Sequence, residues 1–92
     1  MTPDVIQVTV LPDYKLQVQF ENGELKLFDM FPYLKYPAFS DLSHDNLFAR
    51  AKVLNGTVFW TDEIDISPDT LYLKGETINS SESLVELVPI VV

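Results

Sequence analysis

The sequence predicts an α+β fold: a small antiparallel sheet from a three-stranded meander plus a hairpin, with two short helices and a C-terminal extra strand. Three observations predict it. Apolar and polar residues alternate along residues 5–21, the period of a half-buried strand. Asn22-Gly23 and Asn55-Gly56 are strong signals for tight hairpin turns. Two similar helix starts, Leu42-Ser43-His44-Asp45 and Ile66-Ser67-Pro68-Asp69, punctuate the strand pattern. A chain of 92 residues suits one domain.

In the first strand, Val5 to Leu11, Ile6, Val8 and Val10 lie on one side and Gln7 and Thr9 on the other. In the second, Tyr14, Leu16, Val18 and Phe20 oppose Lys15, Gln17, Gln19 and Glu21. A loop of Pro12-Asp13 alone would place Val10 on the Lys15 face. One more loop residue unites Val8 and Val10 with Tyr14 and Leu16, so burial favours the odd-length loop. At Asn22-Gly23 a two-residue turn sets Phe20 opposite Leu25 and Val18 opposite Leu27.

Phe28 to Phe39 carries Pro32, Pro37 and several aromatics and reads as a covering loop. A short helix follows from Ser43 to Arg50, capped by Ser43, with Asp45 near its positive end and Leu42 and Leu47 at staple spacing. A second hairpin joins Ala51–Leu54 to Thr57–Trp60. Trp60 ends the apolar run Val58-Phe59-Trp60 and is expected in the core. The second helix starts at Ser67, with Pro68 in its first turn, Ile66 and Leu71 as the staple, and Gly75 as its stop. The domain thus spans residues 1–75. Residues 76–83 read as a polar linker, and 84–92 (LVELVPIVV) as an apolar tail in a strand, at an edge because Pro89 cannot donate to a ladder. Such a tail must pack, either on its own sheet or on that of a second chain in a homodimer.

Composition narrows the function. Lys+Arg number 6 against 14 Asp+Glu, a net charge of -8. Nucleic-acid binding relies on Lys and Arg displacing counterions, so no nucleic acid is expected as a direct ligand. The acidity serves solubility or a basic protein partner. Without cysteine the chain has no thiol nucleophile, disulfide or thiolate metal site. Met1-Thr2-Pro3-Asp4 lacks the basic start of a signal peptide, and no apolar run reaches the ~20 residues of a membrane span, so a cytoplasmic location and no membrane contact are expected.

No residue is assigned to catalysis, cofactor or metal. His44 is the only histidine, and adjacent Ser43, His44 and Asp45 do not make a triad, which depends on spatial geometry. Asp65, Ser67, Asp69 and Glu76 match four positions of a calcium loop, but Thr70 stands where that loop needs glycine. The aromatics from Phe28 to Trp60 either line a ligand pocket or fill the core, and small domains favour the core. With 3 glycines there is no phosphate-cradling loop. The candidate interaction surface comprises Asp62, Glu63 and Asp65 with Leu84 and Leu87 of the tail.

The stretches LPDYKLQVQFENGE, FDM, PYL and VFW to DISPDTLY together resemble the small bacterial family called domain of unknown function 2442, over about Val5 to Leu73. The resemblance implies a small α+β domain and brings no catalytic residues. Asp65, Ser67, Pro68, Asp69 and Leu71 match its motif, and here they have capping and packing roles. Some members carry a DNA-binding helix-turn-helix after this unit, whereas this chain has no basic helical segment there. The family is often encoded beside domain of unknown function 4160, a pairing that looks like a toxin–antitoxin or two-component complex. The resemblance therefore implies a protein-interaction module, the acidic antitoxin-like partner of a small basic protein from an adjacent gene. The alternatives are a small enzyme or ligand-binding domain with an aromatic-lined pocket, and an oligomeric structural domain.

Overall fold

The computed structural model describes residues 2–78 of the chain. Two antiparallel sheets dominate them. The first is formed by β1 (Val5–Leu11), β2 (Lys15–Phe20), β3 (Leu25–Asp29) and β7 (Glu76–Ile78), in the order β1-β2-β3-β7. The second is formed by β4 (Lys52–Leu54), β5 (Thr57–Thr61) and β6 (Ile64–Ile66). One α-helix, α1 (Pro68–Lys74), joins β6 to β7. The fold is thus mostly sheet, and α+β describes it only roughly. Residues 84–92, expected as a strand, lie outside the described residues, as does most of the expected linker. That linker's first residues, Glu76–Ile78, are β7, paired with Leu25–Leu27.

The β1–β2 loop has the expected odd length. Leu11 pairs with Lys15, leaving Pro12, Asp13 and Tyr14 in the turn, and Val10 and Val8 face Leu16 and Val18. Asp13 and Tyr14 take φ of 62° and 61°. Ile6, expected inward, is 55% exposed. It is the extra residue of a β-bulge between the Val5–Phe20 and Gln7–Gln19 pairs, and the bulge turns Val5 inward instead.

The β2–β3 register departs from expectation by one residue. Gln19 pairs with Leu25, Val18 with Lys26 and Leu16 with Phe28. The turn is Glu21-Asn22-Gly23, closed by a bond from the Phe20 amide to the Glu24 carbonyl at 2.9 Å. Gly23 alone is left-handed there (φ 90°), as in a three-residue loop ending in a glycine bulge. The Asn22 side chain accepts the Glu24 amide at 3.0 Å and fixes the turn. Leu25 and Leu27 therefore face outward, and Lys26 and Phe28 inward. Phe28 belongs to β3 and not to the covering loop.

The expected helix from Ser43 to Arg50 does not form. Ser40–Ser43 and Leu47–Arg50 are separate 3₁₀ turns. Asp45 and Asn46 between them take φ of 54° and 58°, which no right-handed helix contains. Asp and Asn tolerate that region, and an eight-residue helix is too short to stand on propensity alone. Leu42 and Phe48 both reach the core from this broken path. Ser43 caps nothing: its hydroxyl donates to the Ser40 carbonyl at 2.9 Å.

The second half follows its local signals. Leu54 pairs with Thr57, and Asn55 and Gly56 have φ of 51° and 78°, the two positive values of a type I′ turn. Ser67 caps α1 by accepting the Thr70 amide at 3.1 Å. Gly75 ends the helix at φ -73°, so left-handed freedom is not why it is glycine. A Cβ there would lie 2.5 Å from the Leu71 carbonyl oxygen.

The core lies between the inner face of the first sheet (Val5, Leu16, Val18, Phe20, Phe28) and Val58, Trp60, Ile64, Ile66 and Leu71, with Met30, Leu42 and Phe48 from the covering segment. Trp60 is buried as expected, donating its indole N–H to the Phe48 carbonyl at 3.0 Å. The Val5 amide donates to the Gly56 carbonyl at 2.9 Å and ties the two sheets together.

Candidate functional site

The β5–β6 turn presents Asp62 and Glu63. Thr61 shapes it, its hydroxyl accepting the amides of Glu63 and Ile64 at 3.1 Å each. Asp65 follows on the outer face of β6, opposite Phe59. Isoleucines on either side of it point inward, so β6 alternates as a strand should. All three acids are exposed. Asp62 and Glu63 line an open depression together with Pro37, Ala38, Asp41, Leu47 and Ile64. Asp41 and Leu47 also line a second depression with His44, Asp45 and Arg50. Thr61 and Asp62 lead the other way, to a third with Leu54, Phe59 and Asp65. Shared walls make these one continuous band. Asp41, Asp45, Asp62, Glu63 and Asp65 run along it, and Arg50 is the one Lys or Arg among the described residues that line it.

Sequence reasoning singled out Asp62, Glu63 and Asp65 but not Asp41, Asp45 or Leu47 as their companions. Nothing local marks those three. The broken path through residues 40–50 carries them to the edge of the second sheet. Leu84 and Leu87 lie outside the described residues.

A second polar group joins β3, α1 and β7. Lys26 faces inward at 8% exposure, its ammonium donating to the Thr77 hydroxyl at 2.9 Å and lying 4.5 Å from the centre of the Tyr72 ring. A hydrogen bond from Tyr72, then one from Asn22, hold the Glu24 carboxyl below its ordinary value. The same Glu24 bond raises the Tyr72 hydroxyl. This group latches the helix and last strand to the meander.

The other candidates are not assembled into sites. Ser43 and His44 are exposed, and Asp45 sits in the left-handed break. Asp65 is in β6, Ser67 and Asp69 begin α1, and Glu76 is in β7, so the four residues of the calcium-loop match belong to three elements. Among the described residues no three or more His, Asp or Glu side chains are grouped to hold a metal. The aromatics pack on one another: Phe28 stacks on Tyr33 at 5.3 Å, Phe48 on Trp60 at 5.8 Å, and Tyr14 meets Phe48 edge-on at 5.1 Å. Phe31 and Tyr36 are exposed. Among the described residues no helix is long and apolar enough to cross a membrane.

Fold and surface together define a small two-sheet domain with an open, acid-lined band. The chain belongs to the family described as protein of unknown function (DUF2442), whose model matches residues 5–77. Neither the curated proteins nor the solved structures gave a significant match.

Proposed function

We propose that this domain is a protein-interaction module that holds a basic segment of a partner protein along its acidic band. The observation that carries the reading is the run of exposed carboxylates Asp41, Asp45, Asp62, Glu63 and Asp65 with the half-buried Leu47 among them. Facing charges attract a basic segment and set its approach, while apolar contact adds what charge in water cannot. The net charge of -8 extends the field beyond the band. In its finer form, the module is the acidic, neutralising half of a two-protein system in the cytoplasm. The open depressions and mutually packed aromatics favour this over a small-molecule enzyme, whose ligand needs enclosure.

The test pairs capture with charge reversal. Tagged protein is recovered from its own cell, and a stoichiometric small basic partner is expected. The Asp62→Lys/Glu63→Lys variant should lose it by at least about tenfold in affinity, and wild-type binding should weaken with salt. Binding of that partner unchanged by reversal and by salt would overturn the reading.

A further inference from the structure

A fourth depression lies where the β1–β2 turn meets the broken segment 40–50. Asp13 and Tyr14 of the turn line it with Leu42, Ser43, Asn46 and Phe48. Its volume is about 210 Å³, below that of an ordinary small-molecule pocket and enough for one long side chain. The adjoining Asp41, Asp45 and Leu47 line the acidic band.

Two features mark this depression. Five non-glycine residues among those described have positive φ, and three of them, Asp13 (62°), Tyr14 (61°) and Asn46 (58°), line it. A bulky residue such as tyrosine rarely adopts that conformation. Tyr14 is held in it, its carbonyl accepting the Met30 amide at 2.8 Å and its ring meeting Phe48 edge-on. Strained backbone of this kind collects at sites that clamp a ligand. The second feature is a set of acceptors without donors. The Ser43 hydroxyl gives its hydrogen to the Ser40 carbonyl at 2.9 Å, which leaves its lone pairs to accept. Neither the Asp13 carboxylate nor the Asn46 amide has a partner among the described residues.

We propose that this depression holds an arginine side chain of the partner protein. A guanidinium presents its N–H donors in one plane and can serve acceptors on both segments at once, whereas an ammonium is a compact point charge. The methylene stem of arginine suits the buried Leu42 and Phe48. Half-buried Tyr14 adds an aromatic surface for the cation. The proposal rests on the interaction reading and deepens it: the band attracts a basic segment, and this depression fixes one residue of it.

Short peptides test it on the full chain without the partner. Backbone amide resonances are followed as a Gly-Arg-Gly peptide, blocked at both ends, is added, and then its lysine and citrulline counterparts. Shifts centred on Asp13, Tyr14 and Asn46 are expected. The lysine peptide, equal in charge, should bind at least about threefold more weakly, and the uncharged citrulline peptide at least about tenfold. Asp13→Asn and Asn46→Gly each keep a residue that tolerates positive φ, and each should weaken the arginine peptide at least about threefold while the rest of the spectrum is unchanged. No shifts, equal binding of the arginine and lysine peptides, shifts centred on Asp62 to Asp65, or binding indifferent to both variants would each overturn the proposal. Such a failure beside a captured partner that still depends on Asp62 and Glu63 would leave the acidic-band reading standing.

Discussion

The two halves of this molecule use the same local signals and obtain different structures from them. Each half has an Asn-Gly turn between strands, and each has a serine placed to start a helix. In the second half Asn55 and Gly56 are both left-handed and close a two-residue loop, and Ser67 caps a helix. In the first, Asn22 leaves the left-handed region to Gly23, the loop has three residues, and Ser43 ends a 3₁₀ turn.

The turn difference follows from what each register buries. A two-residue loop at Asn22-Gly23 would send Leu25, Leu27 and Asp29 inward. The three-residue loop sends Lys26 and Phe28 inward and leaves Asp29 exposed. Either choice turns one charged residue towards the core. Lys26 lies beside β7 and α1, where Thr77 and the Tyr72 ring receive its ammonium. A neighbouring strand and helix thus override the turn preference of a dipeptide, because a misplaced charge costs more than a change of loop type. In the second hairpin Val53 faces Val58 in the two-residue register, so local and tertiary preference agree. The helix difference has a local root: Pro68 presets the first helical φ after Ser67, whereas His44, Asp45 and Asn46 follow Ser43.

The largest expected effects test the register. Phe28→Ala should destabilise by about 3–5 kcal/mol, and Trp60→Ala in the second half by a similar amount. Leu25→Ala, a core loss only in the two-residue register, should cost about 2 kcal/mol or less. Urea unfolding of the three variants decides it, and a Leu25→Ala loss equal to that of Phe28→Ala would reverse the register.

The next comparison sets glycine against glycine. Gly23 and Gly56 both have positive φ, so alanine at either is strained by about 1–2 kcal/mol. At Gly23 a Cβ meets nothing within 4 Å, while at Gly56 it would lie 2.7 Å from the Asp4 carboxylate. Gly56→Ala should therefore lower the melting temperature more than Gly23→Ala, and Asp4→Ala should restore part of the difference. No restoration would place the extra cost in the turn itself.

Smaller effects separate the serines. Ser67→Ala should cost about 1 kcal/mol and Ser67→Asp almost nothing, since either side chain can accept the Thr70 amide. Ser43→Ala should change stability by less than about 0.5 kcal/mol, because its hydroxyl only donates to a nearby carbonyl. A loss at Ser43 matching that at Ser67 would show a cap that the first half is not expected to have.

The smallest effect is a pH dependence. The Glu24 carboxyl is held below its unfolded value, so its contribution is complete above about pH 4.3 and is lost as pH falls through the folded value. Tyr72→Phe removes the first cause of that shift and should flatten stability against pH in the acid range. The raised Tyr72 hydroxyl acts oppositely: its contribution is present below about pH 10 and is lost as pH rises through the folded value. Denaturation midpoints with equal acid slopes in both proteins would contradict the Glu24–Tyr72 bond.

The sequence by itself determined the odd β1–β2 loop, the second hairpin, the capped helix and the burial of Trp60. Each depends on dihedral preference, a cap or an alternation contained within a few residues. It also held an unused signal, since Ile64-Asp65-Ile66 alternates as β6 requires. Only the tertiary structure decided the β3 register, the bulge at Ile6 and the pairing of Glu76–Ile78 with β3. It also decided that Asp41 and Asp45 would join Asp62, Glu63 and Asp65 along one band. These outcomes depend on which side chains distant strands can bury or hydrogen-bond. A short segment with weak propensity yields to such contacts, because its own preferences are worth less than one misplaced charge or one exposed aromatic ring.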